Sequence, residues 1–327
     1  MLIAANFHYI RDSFAAPYPS IFGVTPAEFR SQLEALGQAG EFVGAAQIAA
    51  AVDGVEPLPE RAIAVTFDDG LAEQCFTAWP ILQDMGIPAI FYVNTGCIAD
   101  AKVETVHKIH LLRAHVAPER ILHELDAFAA QRGIAIAAID TANATVQYKY
   151  DTAENARLKY LLNFALSASQ QAQFVDYALA KALAFDEAAT SRALYMSPAQ
   201  LRELDAHGAI GTHAHRHVVL GQLSPSDADH QVRRSMELLG EWGYRAVNSL
   251  SYPYGSREAC SIDAARTAEA LGLRFAFTME RAANQDLAQP MFLARFANND
   301  LPGGNAAQWS AQTLFASAPT ARWQRAA

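Results

Sequence analysis

The 327-residue sequence predicts an α/β fold, a parallel sheet or barrel interrupted by a mostly helical insertion, and three observations predict it. Short apolar runs without helical period alternate with amphipathic helices whose starts carry recognisable caps. Residues able to do chemistry fall at the ends of those runs, where parallel α/β folds gather their functional groups. One stretch, from about residue 100 to 192, abandons the alternation and is rich in Ala, Leu, Gln and Glu at helical spacing.

The elements follow in order. Leu2 to Tyr9 is an apolar run that reads as the first strand. Thr25-Pro26-Ala27-Glu28 then places a hydroxyl before a proline, with a glutamate three residues on, which is a capping box; Phe29, Leu33 and Leu36 recur on one face of the helix it opens. Ala62 to Phe67 and Ala89 to Val93 are the next strands. Within the insertion, Ile109, Leu112 and Val116 keep helical spacing, while Gly133 to Tyr150, with β-branched and aromatic residues, reads as a small hairpin. Helices restart at Ser197-Pro198-Ala199-Gln200, a second capping box, and at Ser224-Pro225-Ser226-Asp227, after which Val232, Met236 and Leu239 share a face. Val247 to Tyr252 and Phe275 to Thr278 read as the last strands. Residues 1–327 are thus expected to form a single domain with an insertion at about 100–192, and a helical excursion at a barrel rim is the expected source of substrate specificity.

Composition narrows the function. With 51% hydrophobic and 18% charged residues the chain can bury a sizeable core. A formal charge of −9, without a run of Lys and Arg, argues against nucleic acid as a partner. No window approaches the roughly 18 to 20 apolar residues that span a bilayer, so no membrane insertion is expected. Met1 to Ile10 lacks the basic and apolar regions of a signal peptide, and the expected location is cytoplasmic. The three cysteines, Cys75, Cys97 and Cys260, are odd in number and lack C-x-x-C spacing, which predicts buried reduced thiols.

Two constellations carry chemistry. Thr66-Phe67-Asp68-Asp69-Gly70 ends a strand in adjacent carboxylates. Neighbouring strand residues point to opposite faces, so both reach one site only if the chain bends there. One could then bind a cation while the other accepts a proton. Ile210 to His217 places His213, His215 and His217 at alternate positions. Fully extended, His213 and His217 would stand about 13 Å apart, too far for one ion, so a turn must bring ligands together. The residues alone do not choose which two histidines bind, nor which aspartate joins them. Two imidazoles and a carboxylate form a usual hydrolytic metal set, with the second carboxylate placed as base. A third motif, Leu250-Ser251-Tyr252-Pro253-Tyr254-Gly255, ends a strand in a rigid turn able to aim a backbone N–H at a developing oxyanion.

In this order, TFDDG, HAHRH and SYPYG resemble the motifs of the polysaccharide deacetylases, the family-four carbohydrate esterases with a NodB homology domain. The likeness extends to Asn6-Phe7-His8-Tyr9, Leu194 to Ser197 and Phe275 to Thr278, about two thirds of the chain. It implies a distorted (β/α) barrel and metal-dependent N-deacetylation, or sometimes O-deacetylation, of an amino sugar or polysaccharide, with release of acetate; the expected lack of an export signal favours a nucleotide- or lipid-linked precursor of surface polysaccharide over a finished polymer. It also implies Asp68 as catalytic base and Asp69, His213 and His217 as ligands of one divalent metal, Zn first, though the set also accepts Co, Ni or Fe. The Tyr254 amide takes the oxyanion place. Pro253, Arg295 and His215 are the candidates to meet the carbohydrate.

The sequence departs from the family's pattern in three places. Ala214 replaces a small hydroxyl residue, and Ser251 stands where many members carry the arginine that orients the base. No histidine follows His230, so the late histidine that acts as general acid is missing; His8, at the end of the first strand, is the substitute by location, and Arg295, near the last strand, is the alternative through charge stabilisation. Two other readings are kept: a catalytically silent carbohydrate-binding or assembly protein, and a hydrolase of another amide such as an N-formyl sugar.

Overall fold

The computed structural model describes residues 1–134, 136, 144, 152–244 and 246–323. It divides the chain into two compact units, Met1–Ser13 with Gly23–Lys102 and Ser191–Ala327, and Phe14–Phe22 with Val103–Thr190.

The first unit is built on an eight-stranded sheet: β1 (Leu2–Phe7), β2 (Glu41–Phe42), β3 (Ala62–Phe67), β4 (Ala89–Val93), β5 (Ile210–Thr212), β6 (Ser249–Ser251), β7 (Phe275–Phe277) and β8 (Phe296–Ala297). The order is β7-β6-β5-β4-β3-β1-β8, and every pairing is parallel. β2 pairs the first residues of β3, and β4 takes over from Val65 onward. The chain entering β8 touches the far end of the sheet, since Leu293 forms a parallel bridge with Phe277, and the sheet curls toward a barrel. The parallel α/β arrangement is what the strand and helix alternation predicts.

Strand periodicity divides this unit's core. One set of alternate residues, Phe7, Phe67 and Phe91 among them, packs outward with Phe29 and Leu33 of the helix Pro26–Gly37; the Phe67 and Phe91 rings stack at 4.7 Å. The other set, Leu2, Ala4, Ala62, Ala64, Ile90, Tyr92 and Phe277, forms a separate inner cluster. Asn6 and Thr66 continue that inner set in register toward the C-terminal ends of β1 and β3, so small apolar residues give way there to a polar layer. Gly211 in β5 is required by the packing, because a Cβ there would strike the Tyr92 ring.

All three sequence-marked helix starts form. Thr25 and Ser197 make complete capping boxes with Glu28 and Gln200, and Ser224 accepts from the Asp227 N–H; each helix has proline in its first turn. The strands end earlier than the apolar runs: β1 stops at Phe7 and β7 at Phe277, leaving His8, Tyr9 and Thr278 beyond the ladder. β2 and β8, two residues each, are too short to show any period in the sequence. Cys75, Cys97 and Cys260 are free thiols, the first two buried.

The second unit contains the helices Thr105–His115, Pro118–Arg132, Ala153–Tyr160 and Ala168–Ala182. Their apolar faces meet in a core of its own that includes Leu112, Leu125, Phe128, Leu158, Phe174 and Leu179. The buried Lys108 is paired with Asp176 at 2.6 Å and Glu187 at 2.8 Å. The hairpin expected over Gly133 to Tyr150 falls, but for a few positions, outside the described residues. Among the described residues no helix is long and apolar enough to cross a membrane.

Candidate active site

The polar layer at the C-terminal ends of the strands contains the residues the motifs singled out. Asp68 follows the last residue of β3 and is 3% exposed. Arg295, 0% exposed and just before β8, grips it with two parallel bonds, Nη1 to Oδ1 at 2.9 Å and Nη2 to Oδ2 at 2.7 Å. Asn6 of β1 adds a third, Nδ2 to Oδ2 at 2.9 Å. The same guanidinium donates to Asn6 Oδ1 and Thr66 Oγ1, each at 3.1 Å, and to Ser251 Oγ at 2.9 Å. Burial alone would push the Asp68 carboxyl up, but the Arg295 charge, the nearby His213 and the Arg295 hydrogen bonds together outweigh it and hold the group well below the usual carboxylate range.

Asp69 has φ 77°, the left-handed region, and Gly70 follows with φ 63°. This is the bend that lets adjacent carboxylates serve one site. It directs Asp69 Oδ1 to within 3.6 Å of His213 Nε2 and 3.5 Å of His217 Nε2. The histidines meet because Ala214 also turns left-handed, at φ 61°, and folds the segment into a tight loop; their rings are 5.2 Å apart. A left-handed residue other than glycine costs roughly 1–2 kcal/mol, and three of them (Asp69, Ala214 and Tyr254) stand at this one site, as strained backbone does at functional positions.

The ligand atoms of Asp69, His213 and His217 all lie within 4.8 Å of one another. The set fits a divalent metal in its tautomer as well as its spacing. His213 Nδ1 is 2.7 Å from the Ser251 carbonyl oxygen, which only accepts, so Nδ1 carries the proton and Nε2 turns a lone pair toward Asp69. A metal-binding imidazole is normally oriented in this way.

The remaining candidates are placed as follows. His8 is 43% exposed, with Nε2 4.0 Å from Asp69 Oδ2. Tyr254 is 48% exposed, φ 62°, with its ring 4.5 Å from that of His217. His215 is turned elsewhere: its Nδ1 meets Thr95 Oγ1 at 3.1 Å, and its backbone N–H bonds to Gln231 O. Pro253 is buried in the strand-ending turn. Arg295 is fully enclosed and its guanidinium is committed to Asp68 and its neighbours; Pro253, also buried, lies in the turn that carries Tyr254. Asn6, Thr66 and Ser251 were missed as partners of the Asp68–Arg295 pair. Period two places Asn6 on the inner face of β1, and Thr66 with Asp68 on that of β3, and this was the available signal.

Comparisons with known proteins bear on the family and the fold. The family model described as polysaccharide deacetylase matches residues 56–119 and 166–276, more than half of the chain. No curated protein matches. Among solved structures, the chain is similar to the Streptococcus pyogenes deacetylase PplD in complex with acetate, with 14% identity and a TM-score of 0.56 over 90% of this chain and 91% of that one. It is similar to IcaB from Ammonifex degensii, with 18% identity and a TM-score of 0.54 over 90% and 91%. The BpsB deacetylase domain from Bordetella bronchiseptica follows, with 16% identity and a TM-score of 0.52 over 90% and 95%.

Proposed function

The chain belongs to the polysaccharide deacetylase family, and from that premise we propose that it hydrolyses the N-acetyl group of an amino sugar, in a polysaccharide or a nucleotide- or lipid-linked precursor, to a free amine and acetate. The observation that carries the proposal is the convergence of the Asp69, His213 and His217 ligand atoms beside a separately held carboxylate, Asp68.

Asp69, His213 and His217 would hold one divalent metal, with Zn the first choice and Co, Ni or Fe accepted by the same donors, which supplies Lewis acidity toward the acetyl carbonyl and the attacking water. Asp68 takes the proton of that water. Its Oδ2 already accepts from Arg295 and Asn6, whereas Oδ1 accepts only from Arg295 among these bonds, so the lone pair for the incoming proton is on Oδ1. A proton arriving there weakens the grip of Arg295 on the carboxylate, so the base is strongly oriented at some cost in basicity. The backbone N–H of Tyr254, at the tip of its rigid turn, receives the negative charge growing on the carbonyl oxygen. His8, exposed on the other side of Asp69, hands a proton to the departing amine.

The test is acetate release from N-acetylated sugars, free, nucleotide-linked and polymeric, by protein stripped of metal and reloaded with Zn or Co. Metal-restored acetate supports the proposal and begins to identify the sugar. Formate from an N-formyl sugar instead would move the assignment to another amide, and tight metal binding with no product from any sugar would leave a carbohydrate-binding protein.

A further inference from the structure

Two polar residues at the start of the helix after β3 have no part in the chemistry above, yet they hold its pieces together. β1 and β3 run in register as far as Phe7 and Phe67, and the last bond between them is from the Asp68 N–H to Phe7 O at 3.2 Å. Beyond it the carbonyl oxygens of His8 and Asp68 leave the ladder. Both are taken by one side-chain amide: Gln74 Nε2 donates to His8 O at 3.1 Å and to Asp68 O at 2.6 Å. Gln74 is 0% exposed, and its amide orientation is fixed by these partners, because the flipped rotamer would face its own oxygen with two carbonyl oxygens. The preceding residue continues the clip along the first segment. Glu73 Oε1 accepts from the Ile10 N–H at 2.8 Å and from Arg11 Nε at 3.1 Å, and Oε2 lies 2.6 Å from Arg11 Nη2.

The bond to Asp68 O has a second effect. That carbonyl belongs to the peptide leading into Asp69, so Gln74 sets the plane from which the left-handed Asp69 departs. Gln74 also opens a π-helical turn, Gln74–Ala78, a rare geometry that concentrates near functional sites. We propose that Gln74, extended by Glu73, is a positioning residue that fixes the segment bearing His8 against the Asp68–Asp69 bend, so that imidazole and carboxylates keep one spacing. This rests on the deacetylase reading of the same site.

The test uses full-length, Zn-loaded protein and N-acetylglucosamine oligomers, with Zn affinity measured separately by competition with a chromophoric chelator. Gln74→Met keeps the volume and removes both bonds. It is expected to lower kcat at least tenfold with KM within twofold, and to weaken Zn at least threefold. In a His8→Ala background its effect on kcat should shrink at least threefold, as it does when two residues act through one another. A kcat within twofold of the parent, or losses that simply multiply in the double variant, overturns the proposal. Should Gln74→Met fail to fold, Glu73→Ala, at the partly exposed end of the clip, is expected to lower kcat at least threefold with the same non-additivity; an unchanged kcat overturns the proposal equally. If the parent releases no acetate from these oligomers, the variants are compared on whichever sugar of the panel above it does deacetylate; if it deacetylates none, the deacetylase reading falls, and Zn affinity decides the clip alone: an unchanged affinity in Gln74→Met sinks it.

Discussion

Arg295→Met removes from Asp68 both guanidinium bonds and the adjoining positive charge while keeping the approximate length of the side chain. Both partners are almost completely enclosed, at 0% and 3% exposure, so water cannot replace what is lost. Breaking such a buried pair by deleting one member costs about 3–5 kcal/mol, most of it from the charge left behind. The carboxyl can escape that cost by holding a proton, and at about 1.4 kcal/mol per pK unit the penalty corresponds to an upward movement of about two to four units. The sign of the stability change follows. In the parent, Asp68 is depressed below its unfolded value, so it contributes stability above that value and loses it only as pH falls through the folded one. In the variant the folded pKa returns to the ordinary carboxylate range or somewhat above it. The stability deficit should then be full from pH 8 down to about pH 5 and shrink only below that, as the carboxyl takes up its proton. Urea unfolding at several pH values measures this directly, and the acid limb of the kcat profile for acetate release should move upward in parallel. A deficit that stays undiminished as the pH falls from 5 toward 3, with an unshifted limb, would show that Arg295 does not set the charge state of Asp68.

Asp68→Asn should retain metal but lose turnover about 10²–10⁴-fold, the usual contribution of a general base, read by acetate release beside a Zn titration. His213→Ala should lose stoichiometric Zn binding, because it deletes a proposed ligand whose ring Ser251 O orients; a Zn isotherm like that of the parent would remove His213 from the proposed ligand set. Gly211→Ala should destabilise the first unit by about 1–3 kcal/mol in urea unfolding, since its Cβ displaces the enclosed Tyr92 ring. Thr25→Ala, which removes one half of a capping box, should cost about 1 kcal/mol by the same measurement.

The sequence was most legible where local chemistry decides the outcome. Capping boxes at Thr25 and Ser197 are satisfied within four residues, so tertiary context has little chance to override them. β3 and β4 read as uninterrupted apolar runs because both faces are covered, one by helices and one by the inner cluster. The choice among three histidines was different. It depends on the backbone at Ala214, and nothing in an alanine announces a left-handed turn; only the requirement that two rings share one ion implied that some turn must exist.

The source of the guanidinium beside Asp68 shows what spacing cannot supply. Arg295 is 227 residues from Asp68 in sequence and belongs to no motif. It arrives because β1 stands between β3 and β8 in the sheet, so the chain leading into β8 is one strand removed from the end of β3. Asn6, on the intervening strand, bonds both partners, donating to Asp68 Oδ2 and accepting from Arg295 Nη1. Ser251 completes the enclosure from β6, with a hydroxyl small enough to leave room for a guanidinium entering from the opposite end of the strand order and able to bond it. A bulky residue at 251 would compete for that space. The serine that reads in the sequence as the loss of an arginine therefore accommodates, in the fold, an arginine supplied by another strand.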